Sequence, residues 1–174
     1  MAERFTNMPG QMRELHHGGC LCGSVRFQTL GRPLKVLVCH CTMCQRATGS
    51  AFSVEPVFPK GRVQFTAEPA TLYEHRSPEH GRVIQFSFCG KCGNRIGITL
   101  ERFPEIQVVY AGVFDDPSWL SPDCHIFTES AAPWTRLPSE VECFWRHMLE
   151  PDGSPAKPRA EPFAPANALR PVRS

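Results

Sequence analysis

The sequence predicts a mainly β domain with one or two short helices. Several short runs alternate apolar with polar residues, as half-buried strands do, and they follow one another at close spacing. Turn segments such as Pro59-Lys60-Gly61 and Ser77-Pro78-Glu79-His80-Gly81 separate these runs. Short strands joined by turns, with no regular alternation of strands and long helices, favour a β-rich fold over an alternating α/β fold.

The first elements surround a series of cysteines. Residues 1–14 carry no pattern, so we expect a flexible leader. Residues 24–28 alternate as a strand, and residues 34–39 form a largely apolar run. Residues 42–48 predict about two turns of helix, with Thr42 as the N-cap and Gly49 closing the C-terminus.

Four further strands and a terminal helix follow. The strands are expected at residues 51–58, 62–66, 83–88 and 106–114. Within residues 140–150, Val141, Phe144, Trp145 and Met148 recur at helical spacing and predict an amphipathic helix. Beyond it, residues 150–174 are rich in Pro, Ala and Arg and predict a disordered tail. The expected organisation is therefore one domain over residues 15–149 between a leader and a tail.

Composition excludes several functional classes. The net charge of +2 argues against a concentrated basic face that captures nucleic acid. No apolar run reaches the roughly 18 residues of a membrane span, and residues 1–20 lack the apolar core of a signal peptide. We therefore expect a cytoplasmic protein that does not bind membranes.

Seven of the nine cysteines fall into three tight clusters. Cys20 and Cys22 are spaced to share one face of a strand, whereas Cys89 and Cys92 fit a tight turn. Together they supply the four soft ligands of a closed, structural Zn²⁺ site. A disulfide framework is the first alternative, but the cysteine count is odd.

Two other thiol chemistries are open for the same residues. Thioredoxin-type redox chemistry at Cys89-Gly90-Lys91-Cys92 would require a βαβ setting with a helix after the first cysteine. An iron–sulfur cluster could use four thiolates as well. The split pairs fit a closed zinc site more simply than either.

The middle cluster has three thiols and no evident fourth ligand. It consists of Cys39, Cys41 and Cys44 within six residues. Catalytic zinc sites keep three protein ligands and an open position, so this cluster predicts a second, catalytic zinc. The alternative is a closed site completed by Cys124, His125 or another side chain. His40 should point away if its two cysteine neighbours share a face of a strand.

Three ordered motifs carry a resemblance to a known family. They are Gly19-Cys20-Leu21-Cys22-Gly23-Ser24-Val25-Arg26-Phe27, Cys39-His40-Cys41-Thr42-Met43-Cys44-Gln45-Arg46-Ala47-Thr48-Gly49 and Phe88-Cys89-Gly90-Lys91-Cys92-Gly93. In these motifs the chain resembles the glutathione-dependent formaldehyde-activating enzymes, a family also named for centromere protein V. The likeness spans residues 15–137 and includes His125-Ile126-Phe127, Ser130 and Pro133-Trp134.

The resemblance implies a β-tent fold, two zinc ions per chain and carbon–sulfur chemistry on a glutathione adduct. It assigns Cys20, Cys22, Cys89 and Cys92 to a structural zinc and Cys39, Cys41 and Cys44 to a catalytic zinc. The family often has two arginines after the last of these cysteines, whereas Gln45-Arg46 keeps one.

Two functions are therefore open. The first is a carbon–sulfur lyase similar to S-(hydroxymethyl)glutathione synthase, in which the zinc of Cys39, Cys41 and Cys44 activates a thiol such as glutathione. Arg46 would neutralise a substrate carboxylate and His125 would act as an acid or base in substrate binding. The second is a non-catalytic zinc module that binds a protein or nucleic acid through a β surface. The oligomeric state, the thiol and the electrophile lie outside what the sequence predicts.

Overall fold

Strands dominate the described part of the chain. The computed structural model describes residues 14–78 and 81–159. It contains one α-helix, α1 (Thr42–Thr48), and 3-10 helices at Lys60–Arg62, Ala111–Val113 and Thr128–Ser130. The strands are β1 (Leu15–Gly19), β2 (Arg26–Leu30), β3 (Lys35–Cys39), β4 (Ser53–Pro59), β5 (Val63–Phe65), β6 (Thr71–Arg76), β7 (Val83–Phe88), β8 (Arg95–Leu100), β9 (Phe103–Val109), β10 (Cys124–Ile126) and β11 (Glu142–Cys143). The predicted mainly β class with a short helix is confirmed. Among the described residues, no helix has both the length and the apolar character needed to cross a membrane.

The first of two compact units contains the antiparallel strands. It comprises the described parts of Met1–Lys35 and Pro56–Leu120. Strands β1, β2 and β5 form one sheet in that order. Strands β9, β8, β7 and β6 pair in sequence, and the second half of β4 pairs with β9. These strands bury apolar side chains such as Phe27, Phe58 and Ile96.

The second unit is built around three parallel strands. It comprises Val36–Glu55 and the described residues from Ser121 onward. Strand β10 lies between β3 and β11, with Ile126 opposite Cys39. From Val36 to Cys39 every residue of β3 is buried, which is typical of a strand in a covered parallel sheet. Strand β3 ends on Cys39, and α1 begins three residues later at Thr42.

The predicted amphipathic helix at residues 140–150 is wrong. Residues Glu142–Cys143 form β11 instead, and the Phe144 N–H donates to the His125 carbonyl over 2.8 Å. The Phe127 N–H donates to the Arg146 carbonyl over 2.8 Å, and the Thr128 N–H to the Phe144 carbonyl over 3.1 Å. The backbone groups of this segment therefore pair with residues 125–128 and not with their own next turn, which a helix would require.

Other strands also differ from the sequence prediction. The strand expected at residues 106–114 ends at Val109, and a 3-10 helix follows it. Residues 71–76 and 95–100 form β6 and β8, which the sequence reading did not assign. Strand β6 lacks the alternation of apolar and polar residues that marks a half-buried strand, whereas β8 has it, with Ile96, Ile98 and Leu100 at alternate positions, and was overlooked.

The described part of the expected tail, residues 150–159, is held within the second unit. The Arg159 N–H donates to the Cys143 carbonyl over 2.7 Å, and its guanidinium lies 3.7 Å from the centroid of the Trp145 ring. Cation–π and hydrogen-bond contacts thus hold residues up to 159, although their composition predicts disorder. The rest of the predicted tail, residues 160–174, and nearly all of the predicted leader lie outside the described residues.

Candidate metal centres

The structure brings four cysteines of the first unit together. Their sulfur atoms all lie within 4.8 Å of one another: Cys20, Cys22, Cys89 and Cys92. The Cys20 and Cys22 sulfurs are 3.5 Å apart, and those of Cys22 and Cys89 are 3.7 Å apart. Four sulfurs placed about 2.3 Å from one zinc in a tetrahedron would be separated by about 3.8 Å. The spacing therefore suits a shared metal ion.

Two similar turns carry these thiols. After β1, the Gly23 N–H donates to the Cys20 carbonyl over 3.0 Å, and after β7 the Gly93 N–H donates to the Cys89 carbonyl over 2.8 Å. Both glycines have positive φ, 78° and 72°, a conformation that side chains disfavour. The expectation that Cys20 and Cys22 share a face of an extended strand is wrong, because the chain turns at this point.

Hydrogen bonds favour thiolate at two members of this group, Cys20 and Cys22. The Val25 N–H donates to the Cys20 sulfur over 3.2 Å. The Ser24 hydroxyl and N–H groups lower the pKa of the exposed Cys22 thiol to about 6. Donors aimed at sulfur reduce the cost of concentrating negative charge, which a tetrathiolate site requires.

A second group of three cysteines lies in the second unit. The sulfurs of Cys39, Cys41 and Cys44 are within 4.8 Å of one another. Cys39 ends β3, and Cys44 lies in the first turn of α1. Cys41 is the N-cap, because its sulfur accepts a hydrogen bond from the Cys44 N–H over 3.3 Å. The predicted cap, Thr42, is therefore wrong by one residue.

The three thiols differ in exposure and in charge. Cys39 and Cys44 are buried, whereas Cys41 is partly exposed. Hydrogen bonds from the other two thiols lower the pKa of Cys41 to about 3, and the hydrogen bond to Cys41 raises that of Cys39 well above its usual range. Over residues 14–78 and 81–159, no fourth His, Cys, Asp or Glu side chain places a ligand atom within 4.8 Å of all three sulfurs.

A buried carboxyl group contacts this second cluster. Glu55 on β4 is 5 % exposed, and its Oε1 accepts hydrogen bonds from the Cys44 thiol over 3.3 Å and from the Ser53 hydroxyl over 2.5 Å. Burial raises the pKa of Glu55 to about 7. The sequence reading missed this residue. Its signal was an acidic residue within the largely apolar strand predicted at residues 51–58.

Two buried histidines face each other beside the same cysteines. His40 Nε2 and His125 Nδ1 are 2.9 Å apart, and the two rings are stacked. His40 is completely buried, and burial together with His125 lowers the pKa of His40 to about 4. Neither histidine is part of a metal-ligand group among the described residues. The role predicted for His125 in substrate binding stays a prediction.

The polar residues of α1 have different positions. Arg46 is exposed on the helix surface. Gln45 uses its side-chain amide to hold the backbone, donating to the His40 carbonyl over 2.7 Å and to the Ser130 carbonyl over 2.8 Å. Both N–H bonds of that amide are therefore committed to the protein.

The comparison with known families identifies the chain. The model of the glutathione-dependent formaldehyde-activating enzyme family matches residues 15–130 of this chain, which has 174 residues. The chain belongs to this family. The glutathione-dependent formaldehyde-activating enzyme match spans both cysteine groups, so the resemblance inferred from the three motifs is confirmed.

Several relatives bear the name of this family. A protein from Halomonas elongata is 23% identical over 145 residues, which cover 75% of this chain and 87% of that protein. A protein from Talaromyces marneffei is 30% identical over 118 residues, covering 64% of this chain and 60% of that protein. One from Colletotrichum graminicola is 27% identical over 120 residues, covering 62% and 61%. The chain thus spans less than two thirds of these two fungal relatives. A crystal structure of a Rhodobacter sphaeroides protein is 22% identical with a TM-score of 0.45, covering 61% of this chain and 91% of that one.

Proposed function

We propose that this protein is a zinc-dependent carbon–sulfur lyase that acts on glutathione adducts of formaldehyde or of another small electrophile. The observation that supports this proposal is the three-cysteine group, in which a partly exposed thiol lies beside two buried ones. Among the described residues no fourth His, Cys, Asp or Glu side chain lies within 4.8 Å of all three sulfurs, which leaves the open position that a substrate site requires. The names of the relatives support glutathione and formaldehyde as substrates.

Both cysteine groups fit zinc by donor type and spacing. We propose that Cys20, Cys22, Cys89 and Cys92 hold a structural zinc that ties the two turns of the first unit together. We propose that Cys39, Cys41 and Cys44 hold the catalytic zinc. All seven cysteines are free thiols, and sulfur separations near 3.5 Å exceed the roughly 2 Å of a disulfide bond.

The reaction requires a nucleophilic sulfur near neutral pH. Zinc at the three-cysteine group would lower the pKa of a bound thiol and so supply thiolate. In the forward direction the glutathione sulfur forms a bond to the carbonyl carbon, and the carbonyl oxygen takes up the proton that the thiol gave up. The reverse direction breaks the same carbon–sulfur bond and returns the proton to sulfur.

The protein positions this chemistry through α1. Cys41 caps the helix and Cys44 lies in its first turn, so one short element sets the positions of both sulfurs. The Gln45 side-chain amide ties the helix to the backbone carbonyls of His40 and Ser130. We propose that the exposed Arg46 neutralises a carboxylate of the thiol substrate. Because thiols stay reduced in the cytoplasm, that is the compartment we propose.

Metal analysis with cobalt substitution tests this proposal. We expect two metal ions per wild-type chain and one per Cys41→Ser chain. Cobalt in the three-cysteine site should change its thiolate-to-metal absorption when glutathione is added, because the incoming sulfur becomes a ligand. In exchange spectroscopy by NMR, the wild type should accelerate the interconversion of formaldehyde, glutathione and their adduct, and Cys41→Ser should not.

A matched control separates the metal site from cysteine loss in general. Cys143→Ser removes a partly buried cysteine of the same unit that belongs to neither group, so it should keep two metal ions and full activity. A cobalt spectrum that glutathione leaves unchanged, together with wild-type exchange at the uncatalysed rate, would reject the lyase. That result with two bound metals would favour the non-catalytic zinc module.

A further inference from the structure

Strand β6 is an edge of the antiparallel sheet in the first unit. It pairs with β7 along one side, and no strand of the described residues pairs with its other side. Five of its six residues are exposed, and His75 is half-buried. Leu72 and Tyr73 are 57% and 54% exposed. An exposed edge of this kind offers unpaired N–H and C=O groups to another strand.

The hydrogen-bonding register shows which residues face that edge. The Ser77 N–H donates to the Arg82 carbonyl over 2.9 Å, so Ser77 points its backbone groups toward β7. The direction of the backbone N–H and C=O groups alternates along an antiparallel strand. His75 therefore also directs these groups toward β7, whereas Glu74 and Arg76 direct theirs toward the open edge. A second hydrogen bond supports this assignment. The carbonyl of Val83, which lies opposite Arg76, accepts from the Glu101 N–H and therefore points away from β6.

The two residues whose backbone groups face the open edge carry side chains of opposite charge. Glu74 and Arg76 lie two residues apart, so both their side chains lie on one face of the strand. If two copies of β6 pair antiparallel about His75, Glu74 of each copy lies opposite Arg76 of the other. Each such pair also exchanges both of its backbone hydrogen bonds. Pairing about Glu74 would instead oppose two carboxylates, so charge selects the first register.

From this self-complementarity we propose that β6 is a dimerisation strand that pairs antiparallel with β6 of a second copy of this chain. The charges that would repel an unrelated strand become attractive in this one register. Arg76 donates one N–H to the Gly81 carbonyl, and a guanidinium has further N–H groups for the carboxylate of the second copy. The exposed Leu72 and Tyr73 extend the contact with apolar area.

Charge reversal tests the proposed register. Sedimentation velocity of the zinc-loaded full chain over a concentration series should show a monomer–dimer equilibrium. Glu74→Arg and Arg76→Glu should each raise the dissociation constant about tenfold or more, because each variant opposes like charges twice. An equimolar mixture of the two variants should restore association, since it places opposite charges at both positions. The double variant Glu74→Arg with Arg76→Glu should restore it as well.

Two further measurements identify the surface. Glu105→Arg reverses an exposed charge on β9 and should leave the dissociation constant unchanged. Hydrogen exchange at the Glu74 and Arg76 amides should slow as protein concentration rises. A wild type that stays monomeric at all concentrations would overturn the proposal, including the case in which other residues of the chain cover β6. Single variants that dimerise as well as the wild type, with unchanged zinc content, would overturn it too.

Discussion

Glu55 is a carboxyl group enclosed within the second unit, where few donors are available to it. Its Oε1 accepts from the Ser53 hydroxyl and from the Cys44 thiol, and each donor lowers its pKa against the larger effect of burial. A buried polar atom that loses its partner costs more free energy than an exposed one, because water cannot replace the lost bond. Ser53 should therefore contribute more to stability than its size indicates.

A pair of serine substitutions measures this effect. Ser53→Ala removes a hydroxyl that donates to a buried glutamate, and it should lower the free energy of unfolding by about 1–3 kcal/mol. Ser139→Ala removes the same type of bond, to Glu140 at the same 2.5 Å distance, on the exposed surface. We expect a change within about 0.5 kcal/mol for that control. Equal effects in urea unfolding of the two zinc-loaded variants would contradict the argument.

His40 makes stability depend on pH in a defined direction. The pKa of His40 in the folded protein is about 4, below its usual 6.5, so the unfolded chain takes up the proton first as pH falls. The stabilisation is present above pH 6.5 and is lost as pH falls toward 4. Between pH 7 and pH 5, His40 alone should remove about 2 kcal/mol from the free energy of unfolding.

Comparison of the wild type with His40→Gln isolates this contribution. The wild type should lose about 2 kcal/mol more than the variant between the two pH values in urea unfolding. Zinc content is measured at both, because protonation of cysteine ligands would release metal from either protein. Parallel pH profiles at equal zinc content would show that His40 is not the group responsible.

At the scale of single elements, α1 is too short to be stable in isolation. A seven-residue helix forms too few hydrogen bonds to offset the free-energy cost of its first turn, so its stability must come from its surroundings. Cys41 caps its N-terminus, Gln45 donates to two backbone carbonyls, and the Gly49 N–H closes the C-terminus on the Gln45 carbonyl. These contacts also hold Cys44, so loosening the helix should weaken metal binding.

Two glycine substitutions separate conformation from space at the end of α1. Gly49 has a φ of 65°, whereas Gly61 does not have a positive φ, and an added Cβ would meet no atom within 4 Å at either position. Gly49→Ala should therefore cost about 1 kcal/mol, and Gly61→Ala should change stability by less than about 0.5 kcal/mol. The cobalt affinity of the three-cysteine group should fall only in Gly49→Ala. Equal losses of stability in the two variants would mean that the left-handed cap is unimportant.

At the scale of the whole molecule, the sequence predicted the features that depend on local spacing. The three cysteine motifs are short, and they indicated before any contact was known which seven cysteines form the two groups. The helix predicted at residues 140–150 was wrong because the backbone of this segment bonds to residues 125–128. The periodicity of a sequence contains no information on such distant partners. Burial of Glu55 is likewise a tertiary property. Strand β6 was missed because the side chains on both of its faces are largely exposed, so neither face requires an apolar pattern.

If both cysteine groups bind metal as proposed, their spacing along the chain sets the order in which they are loaded. Three sulfurs of one group lie within residues 39–44, whereas the other group joins residue 20 to residue 92. Closing a loop roughly twelve times longer costs about 2 kcal/mol more chain entropy. On the ribosome the short group is complete once residue 44 has emerged, long before residue 92 is synthesised. An ion supplied during translation should therefore enter the three-cysteine group first.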